Sequence, residues 1–166
     1  RDWSHGWLNE GFATYFEALF TEHHKGLDEF RYELHQNTQI YMSEDGARYR
    51  RPIVNNVYHE PIDLFDRHLY EKGSLVLHMI RTVLGDDLWK KTIRHYVAKH
   101  RSTNVTTADV YSTVFDLVYS AARAVSAIRY RLRTGPNFRF RALFPEWVRE
   151  MVVADISATQ FDRFVG

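Results

Sequence analysis

From Gly6 to about His24, Leu8, Phe12, Tyr15 and Leu19 recur at i, i+4, i+7 and i+11, the period of an α-helix. Trp7, Phe16 and Phe20 add a second apolar stripe, which predicts a helix buried on more than one side. Lys25-Gly26 closes it with a cation in the last turn and a glycine after. Asp28 stands near the start of a second predicted helix over 27–44, which ends at Asp45-Gly46. The stretch 48–63, with Pro52, Pro61 and the Asn55-Asn56 pair, reads as an extended loop. A third helix is predicted over 67–84, with Leu69, Leu75, Leu77, Met79, Ile80 and Val83 as core candidates and Gly85 as its stop. Asp86-Asp87 cap a fourth over 88–100, and Thr106-Thr107-Ala108-Asp109 has the capping-box pattern that opens a fifth toward Tyr119. No alternating run exceeds four or five residues, so the predicted class is all-α.

Composition narrows the function. The chain has 166 residues, 45% of them hydrophobic and 15% aromatic, enough for one ordinary domain with a core. A net charge of +1 gives no global field that would favour nucleic acid. With no cysteine, only His, Asp and Glu remain as strong metal ligands. No apolar run is long enough to cross a bilayer and no signal-peptide layout opens the chain, so the cytoplasm is the default compartment. Residues 121–166 hold eight arginines and no lysine. Gly135-Pro136 breaks this stretch, and Phe144-Pro145-Glu146-Trp147 is placed to start a short helix. The expected organisation is therefore a domain over 1–120 and an Arg-rich, irregular tail over 121–166. Glu146, Glu150, Asp155 and Asp162 interrupt the basic charge, which argues against a nucleic-acid or membrane contact.

The chemistry concentrates in Trp7-Leu8-Asn9-Glu10-Gly11-Phe12-Ala13-Thr14-Tyr15-Phe16-Glu17. Glu10 and Glu17 lie seven apart on one stripe of the helix, with the small residues Ala13 and Thr14 between them. Spacing alone leaves open a buried Glu–Arg pair, a solvated helix face or a metal ligand. The residues themselves closely resemble the segment of the zinc aminopeptidases that supplies the third zinc ligand. That family includes membrane alanyl aminopeptidase and puromycin-sensitive aminopeptidase. The resemblance implies that Glu10 binds the single zinc ion and that Asn9 and Glu17 support it.

A second likeness runs through Tyr70-Glu71-Lys72-Gly73-Ser74-Leu75-Val76-Leu77, which resembles the family's Tyr-x-Lys-Gly helix. It implies that the Tyr70 hydroxyl donates to the oxyanion of the tetrahedral intermediate, a role that suits a phenol neutral near pH 7. Gly73 in a helix interior costs roughly 1 kcal/mol against Ala, which predicts close packing against its backbone. The likeness covers about 1–118. It implies the helical C-terminal half of a gluzincin, thermolysin-like catalytic domain with about five or six helices.

The family's other ligands come from a His-Glu-x-x-His helix, and the interval from Glu10 would place them before Arg1. None of the nine histidines forms a His-x-x-x-His pair, and they read as surface or capping residues. The implied function is therefore a fragment of an aminopeptidase that hydrolyses N-terminal peptide bonds. It would be inactive alone and completed by a preceding part of the same protein, with a peptide as the substrate. The alternative is a non-catalytic helical interaction module that binds no metal.

Overall fold

The computed structural model describes residues 3–132, with side chains as far as 121. Its α-helices are α1 Trp7–Lys25, α2 Leu27–Ala47, α3 Glu71–Leu84, α4 Asp86–Lys99 and α5 Thr107–Leu132. No strand occurs among the described residues. The all-α expectation holds, and glycines mark the α1–α2 and α3–α4 junctions as the sequence signals predict. Gly26 separates α1 from α2 at φ +101° and Gly85 separates α3 from α4 at φ +73°. Both are left-handed conformations that glycine adopts without a Cβ penalty.

The described residues divide into two compact units, one of 3–82 with 105–107 and the other of 83–104 with 108–132. In the first unit, α1 packs against α2. Tyr15 at 0% exposure, Ala18, Phe30 and Leu34 are buried in these helices, while Leu64, Leu69 and Leu77 are buried further along the chain. Full burial of a leucine side chain contributes roughly 1.5–3 kcal/mol. The Tyr15 hydroxyl pairs with His78 Nδ1 at 3.0 Å, and Arg81 donates to both oxygens of Glu22 at 2.6 and 3.0 Å. In the second unit Trp89, Thr92, Val110 and Thr113 are buried. Thr92 and Thr113 satisfy their hydroxyls by donating to Leu88 and Asp109 carbonyls at 2.8 Å, one turn back in each helix.

Three expectations are corrected here. Trp7 is buried, but Phe16 and Phe20 are 46% and 65% exposed, so α1 leaves its second stripe open among the described residues. The third helix begins at Glu71 rather than near Arg67, because the Asp66 side chain captures the N–H groups of His68 and Leu69 at 2.9 and 3.1 Å and makes a turn there instead. Finally, α5 continues to Leu132, well past Tyr119. Ala121, Ala122, Ala124 and Ala127 are strong helix formers, and their propensity carries the helix on where the apolar period blurs. The Gly135-Pro136 break and the short helix expected near Phe144 lie outside the described residues.

Candidate functional site

Glu10 occupies the first turn of α1, and Tyr70 is the residue immediately before α3. Two glycines decide their separation. A Cβ on Gly11 would fall 2.8 Å from the Gly73 Cα, and a Cβ on Gly73 would fall 2.8 Å from the Gly11 Cα. Only a pair of glycines allows so close a crossing of α1 and α3, which is the packing that Gly73 predicts from sequence. Glu10 precedes one glycine by one residue and Tyr70 precedes the other by three, so the crossing brings them to the same locale.

The electrostatics register that approach. Burial pushes the Tyr70 phenol above its ordinary 10.0, and the Glu10 and Glu71 carboxylates push it further, since a nearby anion disfavours the phenolate. Tyr70 is therefore a neutral O–H donor at neutral pH. Both Glu10 and Tyr70 are partly exposed. The Tyr70 ring lies 6.4 Å from Phe65, which in turn lies 6.0 Å from Trp3. Thr14 donates to the Glu10 carbonyl at 2.8 Å. Asn9 and Glu17, expected to flank Glu10, are both exposed.

The same unit also holds a polar network that no sequence motif predicts. His68 is 0% exposed, which corrects the expectation that the histidines are surface or capping residues. Its ring stacks on Tyr49 at 5.4 Å and meets Tyr41 edge-on at 5.5 Å. Its Nε2 faces Asp45 Oδ1 at 3.4 Å, and its Nδ1 lies 3.4 Å from Asp66 Oδ2 and 3.9 Å from Glu44 Oε1. Burial lowers the His68 pKa and the Arg51 and Lys72 charges lower it further, against the pull of Asp66. For Asp66 the order reverses. Burial opposes its ionisation, but hydrogen bonds from Arg51 and Tyr49 outweigh that and hold the carboxyl below its ordinary 3.8.

Ligand atoms of Glu44, Asp66 and His68 lie within 4.8 Å of one another, a spacing compatible with a metal ion. The donors around Asp66 argue against one. Its Oδ2 accepts Tyr49 Oη and Arg51 Nε, and its Oδ1 accepts Arg51 Nη2 and the His68 and Leu69 N–H groups. A cation would have to displace a bidentate guanidinium from these lone pairs, so the cluster is an ion-pair network. The residues that form it, Glu44, Asp45, Arg51, Asp66 and His68, are scattered over three segments and follow no motif. The only hint in sequence is the run of charged and aromatic side chains just ahead of Tyr70.

An all-helical scaffold that sets a helix carboxylate beside a phenol at the start of another helix fits the helical part of a metallopeptidase catalytic domain. The comparison with known families makes this specific. The Peptidase family M1 domain matches residues 1–129, and the chain belongs to that family. Aminopeptidase M1 of Arabidopsis thaliana is 31% identical over 118 residues, covering 68% of this chain and 13% of the relative. Aminopeptidase N of Lactobacillus helveticus is 33% identical over 126 residues, covering 69% of this chain and 14% of its own length. Aminopeptidase N of Mus musculus is 25% identical over 156 residues, covering 90% and 15%. The chain thus spans only about an eighth to a seventh of these relatives. The family match runs past position 120, into the stretch that composition sets apart as a tail.

Proposed function

We propose that this chain is the part of a zinc aminopeptidase that contributes one zinc ligand, Glu10, and the oxyanion donor, Tyr70, to hydrolysis of the first peptide bond of a substrate. The observation that carries the reading is the Gly11–Gly73 crossing, which sets a helix carboxylate beside a neutral phenol. The residues fit the metal in part. Glu10 is partly exposed on a face it shares with the exposed residues Ala13 and Glu17, so the carboxylate is free to meet groups from outside the described residues. One carboxylate does not hold zinc at useful affinity, and the other ligands must come from elsewhere in the protein. Zinc bound in such a site polarises the scissile carbonyl and acidifies its water.

The chain's own contribution can be stated separately. Tyr70 holds its proton at neutral pH and presents an O–H to an oxygen that gains negative charge, a placement that lowers the barrier because the donor is set before the charge develops. Glu10 holds a negative charge in place near that phenol, while Asn9 and Glu17 flank it on the same exposed face.

The test uses the full natural protein. It should bind about one zinc ion per chain and release N-terminal residues from peptides, and Glu10→Ala should abolish both while leaving the fold intact by circular dichroism. If the full protein binds no zinc and Glu10→Ala alters only stability, the chain is a non-catalytic helical module.

A further inference from the structure

We infer that the buried Arg51–Asp66 ion pair is the positioning device for Tyr70. The inference rests on the reading of Tyr70 as the oxyanion donor. Between Asp66 and the start of α3 the chain makes a turn of Arg67, His68, Leu69 and Tyr70, and each of its four N–H groups has an acceptor. Arg67 donates to Glu44 Oε1 at 2.8 Å. His68 and Leu69 donate to Asp66 Oδ1, and Leu69 and Tyr70 donate to the Asp66 carbonyl at 3.1 and 3.5 Å. Three of the four therefore end on Asp66. The Tyr70 carbonyl then accepts Ser74 N–H at 2.9 Å, which starts the helix ladder. Asp66 acts as a side-chain cap whose orientation sets the path of the turn.

Asp66 is in turn held by Arg51. The guanidinium donates Nε to Oδ2 at 2.7 Å and Nη2 to Oδ1 at 2.5 Å, and both side chains are 8% exposed. Arg51 is itself fixed by donating to the Pro52 and Leu64 carbonyls at 3.0 and 3.1 Å. The Arg51 carbonyl accepts Lys72 Nζ at 2.9 Å, which ties the first turn of α3 to the same residue. A planar two-pronged contact fixes angle as well as distance, which a lysine ammonium does not do. The Arg51 fork thus determines the Asp66 carboxylate, the carboxylate determines the turn, and the turn ends at Tyr70.

Two measurements on the full natural protein test this. The first is kinetic. Arg51→Lys and Asp66→Asn, which keep charge or shape, should lower kcat about 10-fold or more with KM and zinc content unchanged, because an ångström of misplacement has effects of that order. In a Tyr70→Phe background the same substitutions should cost less than about 2-fold, the non-additivity expected of residues acting through one group. Equal losses in both backgrounds, or loss of zinc, would overturn the inference. If Tyr70→Phe alone leaves kcat unchanged, the catalytic role of Tyr70 fails first and takes the inference with it. The second measurement needs no activity. Crystal structures of Arg51→Lys and Asp66→Asn should show the Tyr70 ring displaced from Phe65, whose ring lies 6.4 Å away in the natural chain. A Tyr70 ring that stays in place in both variants shows that the ion pair does not set its position.

Discussion

At the scale of single residues, polar side chains make commitments that spacing does not reveal. His5 Nδ1 accepts the Thr107 N–H at 3.3 Å and pairs with Thr107 Oγ1 at 3.0 Å, while Trp7 Nε1 donates to the same hydroxyl at 2.9 Å. Because Nδ1 accepts a backbone N–H, the ring proton sits on Nε2. His5 thereby satisfies one of the open donors at the start of α5 from more than a hundred positions away. Replacing a side-chain cap by alanine costs about 1 kcal/mol, so His5→Ala should lower the urea midpoint by the corresponding amount, and His5→Asn should restore part of it. A midpoint unchanged in His5→Ala would show that the cap contributes nothing. Glu10 and Tyr70 stand out in sequence because each lies inside a run of distinctive neighbours. The bonds of His5, Arg51, Asp66 and His68 do not, because their partners are distant in the chain and only folding brings them together.

At the scale of elements, the helices read well because glycines and caps punctuate the chain. The errors fall where tertiary bonds override local preference, as at Asp66, or where propensity outlasts the apolar pattern, as in α5. The glycines show why one residue type carries different meanings. Gly11 and Gly73 meet backbone to backbone, whereas a Cβ on Gly46 in α2 would meet nothing within 4 Å. Gly73→Ala gains about 1 kcal/mol of helix propensity but must force α1 and α3 apart, and overpacking of that kind costs about 1–3 kcal/mol. The net effect should be a loss of stability, because the obstructing atoms are backbone and cannot rotate aside. Gly46→Ala meets no obstruction and should stabilise by up to about 1 kcal/mol. Urea unfolding of the two variants checks the contrast. Stabilisation by Gly73→Ala would mean that the crossing is looser than these contacts indicate.

At the scale of the whole molecule, the shifted groups together set how stability depends on pH. His68 and His78 are held below their ordinary 6.5, mainly by burial, with Arg51 and Lys72 adding at His68 and Arg81 adding at His78. As pH falls below 6.5 the unfolded chain takes up these protons while the folded chain resists, so stability declines on that side. Asp66 and Asp45 lie below their ordinary 3.8. Burial works against this, but Arg51 and Tyr49 at Asp66, and Arg50 and Tyr41 at Asp45, outweigh it. Their contribution is complete above 3.8 and is lost as pH falls through the lower folded values, which makes a second acid limb. On the alkaline side burial pushes Tyr41, Tyr49 and Tyr96 up to about 12, assisted by Asp45, Asp66 and Asp109 respectively. The unfolded chain loses those protons first, so stability falls between about 10 and 12. The melting temperature should therefore be level from about pH 6.5 to about pH 10 and fall on both sides. The histidine limb is the discriminating one, since it tests whether His68 is as thoroughly enclosed as the two tyrosine rings and three carboxylates around it imply. A melting temperature that holds steady from about pH 6.5 down to about pH 5 would mean that His68 and His78 protonate without cost in the folded chain. The Asp66 and Asp45 carboxylates would then offset the cost of burying a charged His68, and Glu22 that of His78.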